Sequence, residues 1–580
     1  MQVSVIKDGT PRRRDRWIPW GIALVGATAI YAVGVALTGG FKVAVAGLRF
    51  SSHSWERPAL VAAIGAIALV VATRARIAAI SRNLAVDLES EAASRLIVVA
   101  ATLLALAIGI GFGTFANGGA DSYGYVGQAR LLAHGQLTDI IPVSGDYQWP
   151  NVDYTLTPLG FTKGPRAGVI SPMYPPGLPL LLAPVSLLSE TAIYLIVPLF
   201  GALLVWLTYH FGVLSGDGFA GAVAALFVAL SPTFVYQVVQ PMSDVPGAAV
   251  WLAAVIAASR GSRAGAVVSG VLSAVAILIR PNLAPLAAIV AALSIASNTS
   301  DRLRRAMYFI VAIAPGIIVL GWIQHIRYGS PFASGYGTAS DVFAFEYVVP
   351  NLARYPRWMT LSHTPFIWLS LGAPFWIVRR AKNPRLAWAG LLLSVAVWIA
   401  YLPYMFFQPH EWFYTRFLLP AIPLMLFFAA ACAMEGLRAL PAMWRFPVAA
   451  ILVVVIGASS LAYAERHRAF ELRNQERKYP LAGEYVRTRG PANAFVLAAQ
   501  HSGSIRYYAH RPILRWDLLS PTRLDQALAT FRAQGYEPIL VVDAGEYEAF
   551  RERFEVTGQR AVDGLIPLAV VGDTRIFAFR

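Results

Sequence analysis

The chain has a single cysteine, Cys432, in 580 residues. A disulfide framework and a cysteine zinc site are therefore excluded within one chain. Charge is scarce too: 14% of residues are Asp, Glu, Lys or Arg, against 57% hydrophobic. A soluble globular chain carries about 25% charged and about 45–50% apolar residues. No Gly-rich phosphate loop joins a strand to a helix, and there is no Asp-x-Asp metal motif. Soluble nucleotide-sugar chemistry thus lacks its usual apparatus. No internal repeat is visible, which weighs against the common transporter architectures, usually built from repeated halves.

What the chain has in quantity is long apolar runs, with a mean hydropathy of +0.55. A spanning helix needs about 20 mostly apolar residues. Runs near 18–38, 58–73, 95–114, 191–213, 219–236, 244–259, 264–280, 283–298, 306–324, 364–379, 386–407, 417–437 and 446–464 predict about thirteen transmembrane helices. The expected fold class is an α-helical polytopic membrane protein. The stretch 172–188 (PMYPPGLPLLLAPVSLL) is apolar but carries five prolines, and reads as an interfacial or re-entrant helix. The first run follows an arginine cluster and has no small-residue cleavage pattern, so it reads as a retained helix rather than a signal peptide.

The net charge of +16 points to topology rather than to nucleic acid, because the basic residues fall mainly in short loops and not in aromatic-interleaved patches. With the N-terminus inside, Arg12, Arg13, Arg14, Arg16, Arg74, Arg76, Arg82, Arg260, Arg263, Arg302, Arg304, Arg305, Arg379, Arg380, Lys382, Arg385, Arg438 and Arg445 all lie on the inner face. Short outer connections keep only Lys42, Arg49, Arg57 and Arg416. The expected location is the cytoplasmic (inner) membrane, multi-pass, with a cytoplasmic N-terminus. Three long stretches then face outward: 115–190, 325–363 and everything after about 465. In the tail, 494–499, 538–543, 566–572 and 575–579 read as strands, with helical patterns at 521–534 and 545–554. The expected organisation is 1–94 (two N-terminal helices and an inner segment), 95–464 (a transmembrane core) and 465–580 (a small extracytoplasmic α/β domain).

Asp121, in GGADSYGY (118–125), follows the third apolar run. A carboxylate where a helix leaves the bilayer is costly unless solvated, paired or used. It could simply cap the next helix, on which Tyr125, Ala129 and Leu132 share a face at helical spacing. Asp244 stands before Pro246 and likewise reads as a helix cap or a ligand contact. Arg280 reads as a site residue or as a helix-end cation snorkelling to the interface. His410 and Glu411 read as site residues or a solvated loop. Arg416 lies among Trp412, Phe413, Tyr414 and Phe417 at the outer mouth of a helix.

Taken in order, these segments resemble the GT-C superfamily of polyprenyl-phosphate-sugar-dependent membrane glycosyltransferases. The closest group includes bacterial protein mannosyltransferases, the aminoarabinose transferase of lipid A and rhizobial core-sugar transferases. The resemblance rests on the Asp121 loop with Asp146, Tyr147, Trp149, Asp153 and Tyr154, then on YPPGLPLL (174–181), PMSDVPGAAVWL (241–252), AILIRPNLAPL (276–286), EWFYTRFLLPAIPLM (411–425) and AAQHSGSIRYYAHRPILRWD (498–517). It covers roughly 95–580.

The resemblance implies an inverting transfer to an acceptor in which the first-loop aspartate, here Asp121, is the general base. Many relatives place a second acidic residue beside the first; here the neighbour is Ser122. No metal ligand is assigned, and a divalent metal is left open. The departing phosphate needs fixed cationic donors, which arginine supplies. Arg416, Arg280, Lys163 and His410 are the candidates, with Asp244 and Tyr174 as further donor contacts and His363, His501 and Arg506 behind them. The implied partners are a polyprenyl-phosphate-linked sugar donor, an envelope glycan, glycolipid or protein acceptor, and membrane lipids. Two rivals remain: a transporter or flippase of a lipid-linked saccharide, and a non-catalytic scaffold whose outer domain binds glycan.

Overall fold

The computed structural model describes residues 90–580 apart from 144–146, 148 and 407–410, and before them only positions 25, 28, 41–45, 48–52, 60–62 and 64–65. The first two expected spans lie almost wholly outside the described residues, as do the 74–89 segment and His410. In the connection between those spans, β1 (Phe41–Val45) pairs antiparallel with β2 (Leu48–Ser52).

Each of the other eleven apolar runs is helical, but the helices differ in length. Among the described residues six helices are long and apolar enough: Glu91–Gly111, Ala192–Ser215, Arg302–Tyr328, Pro384–Tyr401, Ile422–Ala439 and Trp444–Arg466. A seventh span exists if Gly218–Leu230 and Pro232–Val238, bent by 59°, are taken together. The other apolar runs form helices shorter than this length, and the breaks show why. Pro232 ends one helix, and the next restarts with Ser231 Oγ accepting from the Phe234 amide at 3.3 Å. Arg280-Pro281 separates Arg263–Ile279 from a short 3₁₀ turn and Leu286–Ala296. The 364–379 run divides at Gly372 into a 3₁₀ stretch and a short helix.

Asp244–Ala258 is short for another reason: every residue in it except Ala253 is buried. A helix sheathed by protein meets no lipid, so bilayer thickness does not set its length. The proline-rich 172–188 stretch yields Gly177–Ser186, a helix of 10 residues. That is too short to span, in keeping with the reading from its prolines.

Above the bundle lie two sheets. β3 (Asp139–Ile140), β4 (Phe161–Lys163) and β5 (Val169–Pro172) are antiparallel in the order β3-β5-β4. The larger sheet has β6 (Ala494–Leu497), β7 (Ile513–Leu514), β8 (Glu537–Asp543), β9 (Leu565–Val571) and β10 (Thr574–Phe579) in the order β7-β6-β8-β10-β9. β6 runs parallel to both neighbours, and β10 antiparallel to both of its own. The four expected strands are β6, β8, β9 and β10; β7, a pair of residues, carries too little pattern to be read. One face of this sheet packs Phe495 on Phe531 with centroids 3.6 Å apart. Trp149, from the loop after the first described span, enters the same core. The Arg515 amide also donates to the Thr155 carbonyl at 2.6 Å. Loop and sheet are therefore bound together over the membrane bundle.

Candidate active site

Two glycines set the position of Asp121. A Cβ on Gly118 would lie 2.0 Å from the Tyr479 ring and 2.3 Å from a Glu476 carboxylate oxygen. Gly119 has φ +55°, in the left-handed region glycine adopts without a Cβ clash. The turn is pinned by Asn117, whose amide donates to Tyr508 Oη at 2.9 Å and whose side chain accepts from Tyr194 at 2.8 Å. Asp121 then becomes the first residue of a helix, Asp121–Ala133. It is not that helix's cap, as the sequence allowed: the cap position is Ala120, in helical conformation and with no side-chain bond.

The carboxylate is used elsewhere. One oxygen accepts from the Tyr174 hydroxyl, and the other from Arg416 Nη1 at 2.9 Å. Burial and the neighbouring Asp121 charge push the Tyr174 phenol well above its ordinary value, so it stays a proton donor. Tyr174 packs on Tyr125 with centroids at 4.7 Å, and Tyr125 shares a hydrogen bond of 2.8 Å with Ser243. The Asp121 side chain remains 32% exposed and that of Arg416 16%. This is an accessible pair, not a sealed one.

A second acid–arginine pair adjoins it. Arg280 donates to Asp244 and, at 2.8 Å, to Tyr401 Oη. Asp244 is 1% exposed and Arg280 10%. Arg280 therefore does not snorkel, and Asp244 does not act as a cap. The two guanidiniums flank one ring: Arg416 lies 5.2 Å and Arg280 5.4 Å from the Phe417 centroid. Phe417 itself stacks on Tyr401 at 5.0 Å. The Nε of each arginine is buried with no protein acceptor among the described residues. Buried donors without partners are costly, so each arginine keeps a donor free to bind a ligand.

Other candidates lie apart. Lys163, on β4, is exposed, with its ammonium 6.0 Å from the Tyr154 ring. His363 is buried between Ser231 (2.7 Å) and Ser362 (2.8 Å), a structural bond between helices. His501 joins Asp543 at 2.8 Å and Thr574 at 3.0 Å within the large sheet. Asp543 also accepts from Lys478 at 2.6 Å. Burial raises the Asp543 carboxyl, but the bonds from His501 and Lys478 outweigh it and hold it well below the carboxylate range.

Glu476 is the residue that sequence reasoning missed. It lies just past the last span, against Gly118, and burial pushes its carboxyl up to about 7; Lys478 opposes the shift while Asp543 and Asp121 add to it. Nothing local marks it, since it stands in a charged stretch of ordinary helical composition. Among the described residues no three His, Cys, Asp or Glu side chains converge in a way that would hold a metal ion.

No family model matches the sequence, and no curated protein matches it. Solved structures do. ArnT from Cupriavidus metallidurans bound to undecaprenyl phosphate superposes with a TM-score of 0.51 at 14% identity, over 84% of this chain and 98% of ArnT. Looser similarities reach the Archaeoglobus fulgidus oligosaccharyltransferase (TM-score 0.46, 12% identity, 85% and 74% covered) and the arabinosyltransferase EmbB from Mycobacterium smegmatis (0.35, 14%, 80% and 47%). Those two carry no weight beside the first. At these identities the likeness is one of architecture: the chain has the fold of GT-C membrane glycosyltransferases. It is a polytopic membrane protein of that build.

Proposed function

We propose that this chain is a membrane glycosyltransferase that moves one sugar from a polyprenyl-phosphate carrier to an acceptor hydroxyl, with inversion, on the outer face of the cytoplasmic membrane. The observation that carries the reading is the Asp121 carboxylate held open between Tyr174 and Arg416. A base must be reachable by the acceptor and a cation by the phosphate, and here the two are hydrogen-bonded to each other.

The acceptor oxygen attacks the anomeric carbon and gives its proton to Asp121. The bond from that carbon to the phosphate oxygen breaks, and polyprenyl phosphate departs with the electron pair. Arg416 serves both ends: one Nη holds the base, and its unpartnered Nε is left for the phosphate. Tyr174 fixes the other carboxylate oxygen, so the base presents a defined direction. Arg280 adds a second positive charge across Phe417, with Asp244 holding it in place. Lys163 has no part in this cluster.

The orientation follows the positive-inside rule, which puts the N-terminus inside and both sheets outside. The proposed organisation is 1–94, a catalytic core at 95–464, and an outer α/β domain at 465–580. ArnT with undecaprenyl phosphate lends the carrier class a precedent on the same fold. Transport is less well supported, because Asp244 and Arg280 lie at helix ends rather than along a path through the bundle.

The test is Asp121→Asn in purified protein. Loss of general base catalysis lowers transfer by about 10²–10⁴-fold, while undecaprenyl-phosphate binding and the folded state persist. Normal turnover in the variant would refute the reading.

A further inference from the structure

The Asp121 helix has a second working face. Asp121, Tyr125 and Gln128 point toward the Tyr174 side, whereas Tyr123, Gly127 and Arg130 lie on the opposite side at helical spacing. That opposite side borders a cleft of about 310 Å³ between the helix, the β3 region and residues 506–511 of the C-terminal segment.

The walls combine rings and guanidiniums. Tyr123 and Phe161 form a tilted pair with centroids at 5.4 Å. Arg130 lies 3.7 Å over the Tyr507 ring and is paired with Glu190. Arg506 donates through Nη2 to Asp139 at 2.6 Å and to the Ile140 carbonyl at 2.6 Å. Its Nη1 is buried and has no partner among the described residues. The Nε of Arg511 is likewise buried and unpartnered. Glu190 and Asp139 therefore each answer one arginine, and among the described residues no carboxylate pairs with Arg511.

The backbone presenting these groups is irregular. Ile505–Ala509 is a π-helical turn, a rare form frequently found at functional sites. It ends at His510, which is held at φ +54°, a region uncommon for a residue with a side chain. The turn also carries Tyr508, which holds the Asn117 amide. It sets Arg506, Tyr507 and Arg511 around one cavity.

We infer that this cleft is a binding subsite for an acidic saccharide, holding a part of the acceptor remote from the transferred sugar. Aromatic walls suit the apolar faces of pyranose rings, and unpartnered guanidinium donors suit a carboxylate or phosphate. Because the cleft opens behind the helix that bears Asp121, what it holds is not the reacting hydroxyl. An acceptor of several sugar units reaches both places. The word acceptor rests on the reading of Asp121; the binding itself does not.

The experiment measures binding to the full-length protein in nanodiscs by titration calorimetry, with three probes: digalacturonic acid, neutral galactobiose and glycerol phosphate. Digalacturonic acid is expected to bind about tenfold more tightly than galactobiose, and Arg511→Gln to remove about that factor, equivalent to about 1.4 kcal/mol. Arg511 has no side-chain partner among the described residues, so its replacement is expected to leave the fold intact, which an unchanged thermal midpoint checks. Equal binding of the acidic and neutral disaccharides, or an unchanged affinity in Arg511→Gln, overturns the inference. Glycerol phosphate binding as tightly as digalacturonic acid also overturns it, in favour of a lipid headgroup. Asp121→Asn separates the two ideas: it should abolish transfer and leave digalacturonic acid binding untouched. Loss of transfer without any disaccharide binding sinks the subsite and spares the proposed reaction.

Discussion

Two acid–arginine pairs sit side by side around Phe417, made of the same groups and differing in access. Asp121–Arg416 is reachable from outside, with side chains 32% and 16% exposed; Asp244–Arg280 is closed, at 1% and 10%. A buried ion pair offsets its desolvation only when further bonds complete it, and Tyr401 supplies one to Arg280. The closed pair ties the start of one helix to the end of another and holds the Arg280 charge in a fixed place. The open pair keeps a carboxylate and a cation where small changes of partner cost little, which is what a reacting group needs.

The comparison can be broken by mutation, and the largest effect belongs to the open pair. Asp121→Asn should cut transfer by about 10²–10⁴-fold with little change in thermal midpoint. A large loss of stability instead would make Asp121 a framework residue like Asp244. Next comes the closed pair: Asp244→Ala leaves the buried Arg280 charge unanswered and should destabilise the protein by about 3–5 kcal/mol in denaturant titration. If the open pair costs as much when Arg416 is replaced by Met, the distinction between the two collapses.

A smaller effect is expected from Tyr174→Phe, which removes one bond to a charged oxygen. By the usual worth of such bonds, about 1.5–3 kcal/mol, transfer should fall roughly tenfold or more while carrier binding is unchanged. An equal loss of carrier binding would place Tyr174 on the phosphate rather than on the base.

The smallest effect concerns pH. Glu476 has a folded value of about 7 against an ordinary 4.5, so between those values the folded chain holds a proton that the unfolded chain releases. Its contribution to stability therefore declines as pH rises through that window and is constant above it. Glu476→Gln should flatten the fall of the thermal midpoint between pH 5 and 8. An unchanged slope would mean that the carboxylate is solvated.

The helices were legible because hydropathy is a property of consecutive residues, and all eleven described runs proved helical. Helix length was less legible, because composition does not distinguish an apolar helix facing lipid from one facing protein, and Asp244–Ala258 is of the second kind. The strands β6, β8, β9 and β10 were legible for the same local reason. Arg416 and Asp121 were singled out separately, each by its place at an outer helix mouth. Their contact, across 295 positions of chain, had no local signature. Glu476 left no trace in sequence, and of the cleft behind the Asp121 helix only Arg506 was named, since each depends on how the 115–190 loop docks on the C-terminal segment.

By itself the sequence determined a membrane-embedded helical body and the residue types available for chemistry at its helix ends. Those follow from the transfer free energy of short segments, which neighbours in the chain decide. Tertiary structure alone decided which carboxylate meets which arginine, which pair is sealed, and where a glycine turn lets Glu476 and Tyr479 close against Gly118. Such choices depend on the packing of segments far apart in the chain, and burial, not composition, sets the strength of a charge.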